Sequence, residues 1–291
     1  MSRARSCFFL TLGLLLAGAT AGQSPAPGGP PARTFPPPDP DMARPIDAVD
    51  TVFIEDMTWL EVRDAMRAGK KTVIVATGGV EQNGPYLVTG KHNVILRATT
   101  EAIARKLGSA LVAPIIGFVP EGDLDPPSGH MKYPGTITLT APAYKALLTD
   151  VALSMKAHGF LTIVMIGDSG GNQNGMQEVA GDLNAKWSAA GVKSRVLFVP
   201  EYYDYNDVWR WVWEQGIREV PDGTHDDYGI SAMMMVTDPA SVRLKQRAAK
   251  GKAQINGVSL LPAEKTIAFG KRLVDYRANL TVAAIKKALG E

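Results

Sequence analysis

From residue 46 onward, short β-branched runs alternate with longer stretches in which apolar residues recur every three or four positions. Thr58 to Ala68 predicts a short helix closed by Gly69, Thr72 to Thr77 a buried strand, and Val94 to Leu107 a helix stopped by Gly108. Ala110 to Ile116 is the next expected strand. Within Ala141 to His158, Tyr144, Leu147, Leu148, Val151 and Met155 recur at helical spacing; Gly159 ends that helix and Thr162 to Ile166 forms another strand. Met176 to Ala190 and Arg195 to Val199 repeat the scheme, Ile230 to Val236 is an apolar helical stretch, and a C-terminal helix is expected over 263–289. Strands spaced by helices of this length need crossover connections. The predicted class is therefore α/β, a single three-layer α/β/α domain around a mostly parallel sheet.

Ahead of residue 46 the pattern changes. Arg3 and Arg5 precede the apolar run Phe8 to Leu16, and Ala19-Thr20-Ala21 supplies a small-x-small cleavage pattern, so residues 1–21 read as a signal peptide cut before Gly22. The run is short for a membrane span of roughly 20 residues. The expected product is exported, periplasmic or secreted, with no membrane association after cleavage. Residues 22–45 are crowded with proline and glycine and read as a disordered linker to a folded domain at 46–291. The single cysteine, Cys7, lies in the leader, so any metal in the mature chain must be held by oxygen and imidazole ligands. With 291 residues, 45% of them hydrophobic, the chain can bury a full core. A net charge of +2 without a basic stripe argues against nucleic acid as a partner.

Two strand-end loops carry the candidate chemistry: Glu81-Gln82-Asn83-Gly84-Pro85-Tyr86, running on to Gly90-Lys91-His92-Asn93, and Gly167-Asp168-Ser169-Gly170-Gly171-Asn172. Both fall where open α/β sheets place their sites, at the carboxyl ends of strands. Glu81 and His92 share one strand-to-helix connection and form half of a divalent-metal site, or else a backbone cap and a helix-start residue. Asp168 follows its strand directly and the Gly170-Gly171 pair lets backbone approach a ligand, unless the loop is only an Asx turn. No Walker lysine or Gly-x-Gly-x-x-Gly spacing supports a nucleotide. Ahead of Ile230, the segment Gly223-Thr224-His225-Asp226-Asp227 offers helix-capping aspartates and an imidazole suited to acid/base work. The long loop Glu121 to Thr136 contributes Asp123, Asp125 and His130.

These segments, with Gly129-His130-Met131-Lys132-Tyr133-Pro134-Gly135-Thr136 and His158-Gly159-Phe160 between them, resemble the creatininase family in consistent order from about Thr51 to Val236. The resemblance implies an oligomeric, metal-dependent α/β hydrolase of cyclic amides and related C–N bonds, with a two-metal site often holding zinc or manganese. The ligands carry over only in part. Glu81 is retained, while Asn83 and Tyr86 replace the two histidines of the Glu-Gln-His-Gly-Pro-His motif. His92 stands in place of a ligand aspartate, Ser169 in place of a ligand histidine beside Asp168, and Ile230 in place of a glutamate. His225 coincides with a histidine of catalytic role.

Two outcomes fit these exchanges, a rebuilt site or a degenerate one that only binds a small molecule. The imidazole at 92 and the carboxylates at 168, 226 and 227 leave ligands enough for at least one ion and favour rebuilding. The expected ligands of one or two divalent ions per subunit (zinc, manganese or iron) are then Glu81, His92, Asp168 and Asp226. A metal-activated water is the nucleophile, with His225 and Asp227 as catalytic groups and His225 protonating the leaving nitrogen. Asn83, Tyr86, His130, Ser169, Gly170, Asn172 and Tyr203 are the expected contacts of a small amide substrate. The aromatic run from Tyr202 to Trp213 forms a pocket wall, ordinary packing, or an oligomer contact.

Overall fold

The computed structural model describes residues 35–222 and 225–291. The expected signal peptide, the linker up to residue 34, and Gly223-Thr224 lie outside the described residues. The chain divides into two compact units, Met1–Ala43 and Arg44–Glu291. In the first, residues 35–43 are almost entirely exposed, with one turn at Pro40–Asp41. The second unit holds the sheet and the helices packed on it.

Its sheet is wholly parallel, with strand order β2-β1-β3-β4. The strands are β1 (Thr72–Thr77), β2 (Ala110–Val112), β3 (Thr162–Gly167) and β4 (Arg195–Phe198). Alternate residues of β1 serve two cores. Val73 and Val75 join Ile163, Met165, Tyr144, Leu148, Met176 and Leu183, so one face is covered by α3 (Ala141–Ala157) and α4 (Gln173–Ala189), with Met66 of α1 (Trp59–Arg67) at its margin. Ile74 and Ala76 join Leu96, Ile103, Ala278 and Ile285, so the other face is covered by α2 (Lys91–Leu107) and the long C-terminal helix α8 (Ala263–Leu289). This is the three-layer arrangement that continuous apolar strands require.

A third core lies beyond the sheet. It gathers α5 (Tyr205–Glu214), the apolar helix α6 (Tyr228–Thr237), α7 (Leu244–Ala249) and the hairpin of β5 (Gln254–Ile255) and β6 (Val258–Ser259) against α8. Among the described residues, no helix is long and apolar enough to cross a membrane.

Most elements lie within a few residues of their sequence-predicted bounds. Two differences bear on the site. Strand β2 ends at Val112, and the rest of the run to Ile116 leaves the sheet apart from one bridge to Thr77. Helix α2 begins at Lys91, three residues before Val94, so Lys91 and His92 belong to its first turn.

Candidate active site

The strand order reverses between β1 and β3: the chain leaves β1 for α2 on one face and leaves β3 for α4 on the other. Such a switch point opens a crevice at the carboxyl ends of the two strands. Asn172 fixes its width, because its Nδ2 donates to the carbonyls of Thr77 at 3.0 Å and Gly78 at 2.8 Å and to Thr77 Oγ1 at 3.0 Å. A Cβ at Gly79, in the turn after β1, would come within 2.2 Å of Glu121 Oε1, so a side chain there would displace that carboxyl group from the crevice.

The crevice floor is a chain of alternating charges. His92 Nε2 lies 2.9 Å from Glu81 Oε1, and Nδ1 lies 2.8 Å from Asp168 Oδ2. Both acceptors are carboxylates, so both ring nitrogens donate and His92 is an imidazolium. Burial opposes that charge, but the hydrogen bonds to Asp168 and Glu81 outweigh it and raise the His92 pKa above the usual histidine value. Asp168, fully buried, also accepts at Oδ1 from Arg277 Nη2 at 2.9 Å and from the Tyr205 hydroxyl at 3.2 Å. Burial would raise its pKa, and the charge of Arg277 with the His92 hydrogen bond brings it below the usual carboxylate range. Glu81 behaves alike: burial is overcome by its contacts with His225, His92 and Lys91, whose Nζ sits 3.3 Å from Oε1.

On the other side of Glu81 are two more imidazoles. His130 Nε2 is 3.2 Å from Oε2 and His225 Nε2 is 3.5 Å from Oε1, with the two rings 4.9 Å apart. Glu81, His130 and His225 can each offer one ligand atom, all within 4.8 Å of one another. One carboxylate and two imidazoles are a fitting donor set for a divalent ion. Two buried polar atoms beside them, Glu121 Oε1 and His130 Nδ1, have no hydrogen-bond partner. Burial, and then the negative charge of Glu81, push the Glu121 carboxyl up to about 9. The residues present therefore fit a metal ion at this trio.

The geometry redistributes the sequence-predicted roles. His92 and Asp168, expected as metal ligands, spend their donor atoms on each other, Glu81 and Arg277. Asp226 lines the cavity beside its backbone contact with Asn256. Asp227, expected to be catalytic, caps α6 instead: Oδ1 accepts from the Ile230 amide at 2.6 Å and Oδ2 from Trp209 Nε1 at 2.9 Å. Of the expected substrate contacts, His130, Ser169, Gly170 and Tyr203 line the cavity. Asn83, Tyr86 and Asn172 do not line it. Asn83 Nδ2 ties its own loop to the carbonyls of Glu81 and Val88, and Tyr86 packs its ring 4.4 Å from the Arg247 guanidinium carbon. Three groups escaped the sequence reading: Lys91, Arg277 and Glu121. For Lys91 and Glu121 the signal was position at a strand-end loop; for Arg277, deep in α8, there was none.

The cavity above this floor encloses about 1280 Å³. A family model described as "Creatininase: Creatinine amidohydrolase" matches residues 55–284. A creatinine amidohydrolase from Pseudomonas putida is 25% identical over 157 residues, covering 53% of this chain and 59% of that relative's length. A creatininase carrying a tryptophan-to-alanine mutation superposes with a TM-score of 0.62 at 18% identity, covering 83% of this chain and all of the other. A manganese form and a Zn-Zn form of creatininase give 0.57 and 0.58 at 18% identity, covering 82% and 83% of this chain and 98% of each of theirs.

Proposed function

We propose a function from the premise that this chain belongs to the creatininase family, whose model spans residues 55–284. The chain is a metal-dependent hydrolase of a C–N bond in a cyclic or linear amide. The observation that carries this reading is the Glu81, His130 and His225 trio at the sheet's switch point. One divalent ion, zinc or manganese as in the solved relatives or iron, is held there; when bound, it supplies a Lewis acid that polarises a carbonyl and acidifies water. A single ion suits the geometry, because the space between Glu81 and Asp168 is taken by the His92 ring, with Lys91 and Arg277 supplying further positive charge.

The remaining roles follow from position. Lys91, His92 and Arg277 keep Glu81 and Asp168 ionised. Ser169, Gly170 and the Tyr203 hydroxyl border the cavity where a carbonyl and its substituents would be oriented. Glu121, with one oxygen lacking a hydrogen-bond partner and its carboxyl pushed up to about 9, is placed to give its proton to the leaving nitrogen and to take one back from water. Water adds to the carbonyl carbon, the C–N bond breaks, and the products are a carboxylate and an amine. A ring nitrogen that holds the ion cannot also carry a proton, so this reading moves His225 from acid/base catalysis to metal binding. Export through residues 1–21 and assembly into a homo-oligomer remain part of the proposal.

A second reading, an exported small-molecule binder without turnover, draws on the internal pairing of His92 with Glu81 and Asp168. Metal analysis of the purified protein, followed by turnover assays on cyclic and linear amides, separates the two. About one divalent ion per chain, with carboxylate release, is the expected result. Absence of any bound or bindable ion sinks the hydrolase reading.

A further inference from the structure

Besides the charged floor already described, the cavity lining holds a group of apolar side chains, Trp209, Val212 and Trp213 of α5 with Ile217, Pro221 and Ile230, set among polar neighbours such as Asn206, Glu219 and Asn256. Trp209 and Trp213 stand four residues apart and so share one helix face. Each is 58% exposed, although an indole is among the side chains with most to gain from burial.

Neither ring is a loose surface side chain. The Nε1–H of Trp209 donates to Asp227 Oδ2, whose partner oxygen caps α6, so this ring is fixed to the element that follows His225. Trp213 is stacked by Arg218, whose guanidinium carbon lies 3.7 Å from the ring centroid. Fixed, exposed aromatic surface facing a cavity is the form that binding sites take. The volume points the same way: about 1280 Å³ exceeds the roughly 300–1,000 Å³ typical of sites for drug-sized ligands. An amide of a few heavy atoms at the floor would leave the space beside Trp209 and Trp213 filled with water.

We propose that the substrate is an amide bearing a flat aromatic group on the side away from the scissile C–N bond, seated against Trp209 and Trp213. The proposal rests on the hydrolase reading for its scissile bond, and on α5 alone for its aromatic group. The probes are hydantoin, a small cyclic amide, and 5-benzylhydantoin, which adds only the aromatic arm. Affinity is measured calorimetrically and turnover by chromatography on the metal-loaded full chain. The benzyl arm should tighten binding at least about tenfold. Trp213→Ala should remove most of that gain, bringing the affinity for 5-benzylhydantoin close to that for hydantoin in the same variant. The capping Asp227 accepts from Trp209 Nε1, so Trp213→Ala avoids the loss of that bond which Trp209→Ala would bring. Equal affinity for the two probes, binding of neither, or an arm effect that survives in Trp213→Ala overturns the proposal. A variant that dissociates an oligomer in light scattering while keeping the arm effect also overturns it, and makes the indole a subunit contact. An arm effect lost in Trp213→Ala without turnover of either probe supports this inference and defeats the hydrolase reading. Turnover of both probes at equal efficiency in both proteins does the reverse.

Discussion

Arg277 is the residue on which the charge chain depends. It is 2% exposed, and its Nη2 donates both to Asp168 and to the Tyr202 carbonyl at 2.9 Å, with the guanidinium carbon 4.2 Å from the Tyr202 ring centroid. Arg277→Met keeps the volume and removes the charge, leaving a buried carboxylate with only His92 to balance it. Losing one partner of a buried pair costs roughly 3–5 kcal/mol, so urea unfolding should show a loss of that order; a loss below about 1 kcal/mol, the scale of exposed pairs, would show that Asp168 does not depend on it. The opposite site, Asp168, was legible from the sequence because it follows a strand directly. Its partner, 109 residues away, was not, because no local pattern marks which helical arginine turns inward. A second residue gives a pH signature. Glu61 accepts from the amides of Thr58 at 2.6 Å and Val49 at 2.8 Å, and these bonds lower its pKa below 4.5. A depressed folded value means that its contribution is present above the unfolded pKa and lost as pH falls through the folded one. The stability difference between the wild type and Glu61→Gln should therefore be constant at neutral pH and shrink below about pH 4.5; a difference that grows on acidification would contradict the assignment.

At the scale of elements, two helix starts decide what reaches the crevice. Helix α2 opens with Lys91 and His92 behind Gly90, without a side-chain cap. Cations in a first turn oppose the helix dipole and no capping side chain announces the start, so periodicity alone places it later, at Val94. The carboxylates of Glu81 and Asp168 offset that penalty, and they are tertiary partners that a local pattern does not reveal. Helix α6 is the converse case. Asp227 is a sequence-legible N-cap, and both its oxygens are engaged. Asp227→Ala should lose about 1 kcal/mol for the cap, with more for the stranded Trp209 N–H, while leaving metal affinity unchanged within error. Metal binding lost in proportion to stability would instead place Asp227 in the ion's environment. Helix α5 was read only as an aromatic run, although it is strongly two-faced: Val208 and Val212 are buried while Trp209 and Trp213 lie on the exposed side.

At the scale of the whole molecule, the candidate ligands come from three separate places: the loop after β1, the 3-10 turn Gly129–Lys132, and the segment before α6. Glu81 was visible as a strand-end carboxylate, His130 only as a member of a long loop, and His225 only as an imidazole near a helix start. Their convergence could not be read locally, because it depends on the parallel sheet order and on how the third core seats α6. The same fact makes metal binding a probe of the fold. An unfolded chain does not hold these three groups together, so an ion that binds the native state alone stabilises it by mass action, by about 2.7 kcal/mol when free ion is one hundred times Kd. Zinc or manganese added to chelator-treated protein should therefore raise the thermal midpoint, and chelation should reverse the rise. The double variant His130→Ala, His225→Ala should show no rise, while its midpoint without metal stays close to that of the chelated wild type, because His225 is half-exposed and His130 partly so. An equal rise in the double variant would locate the ion elsewhere and remove the trio from the site.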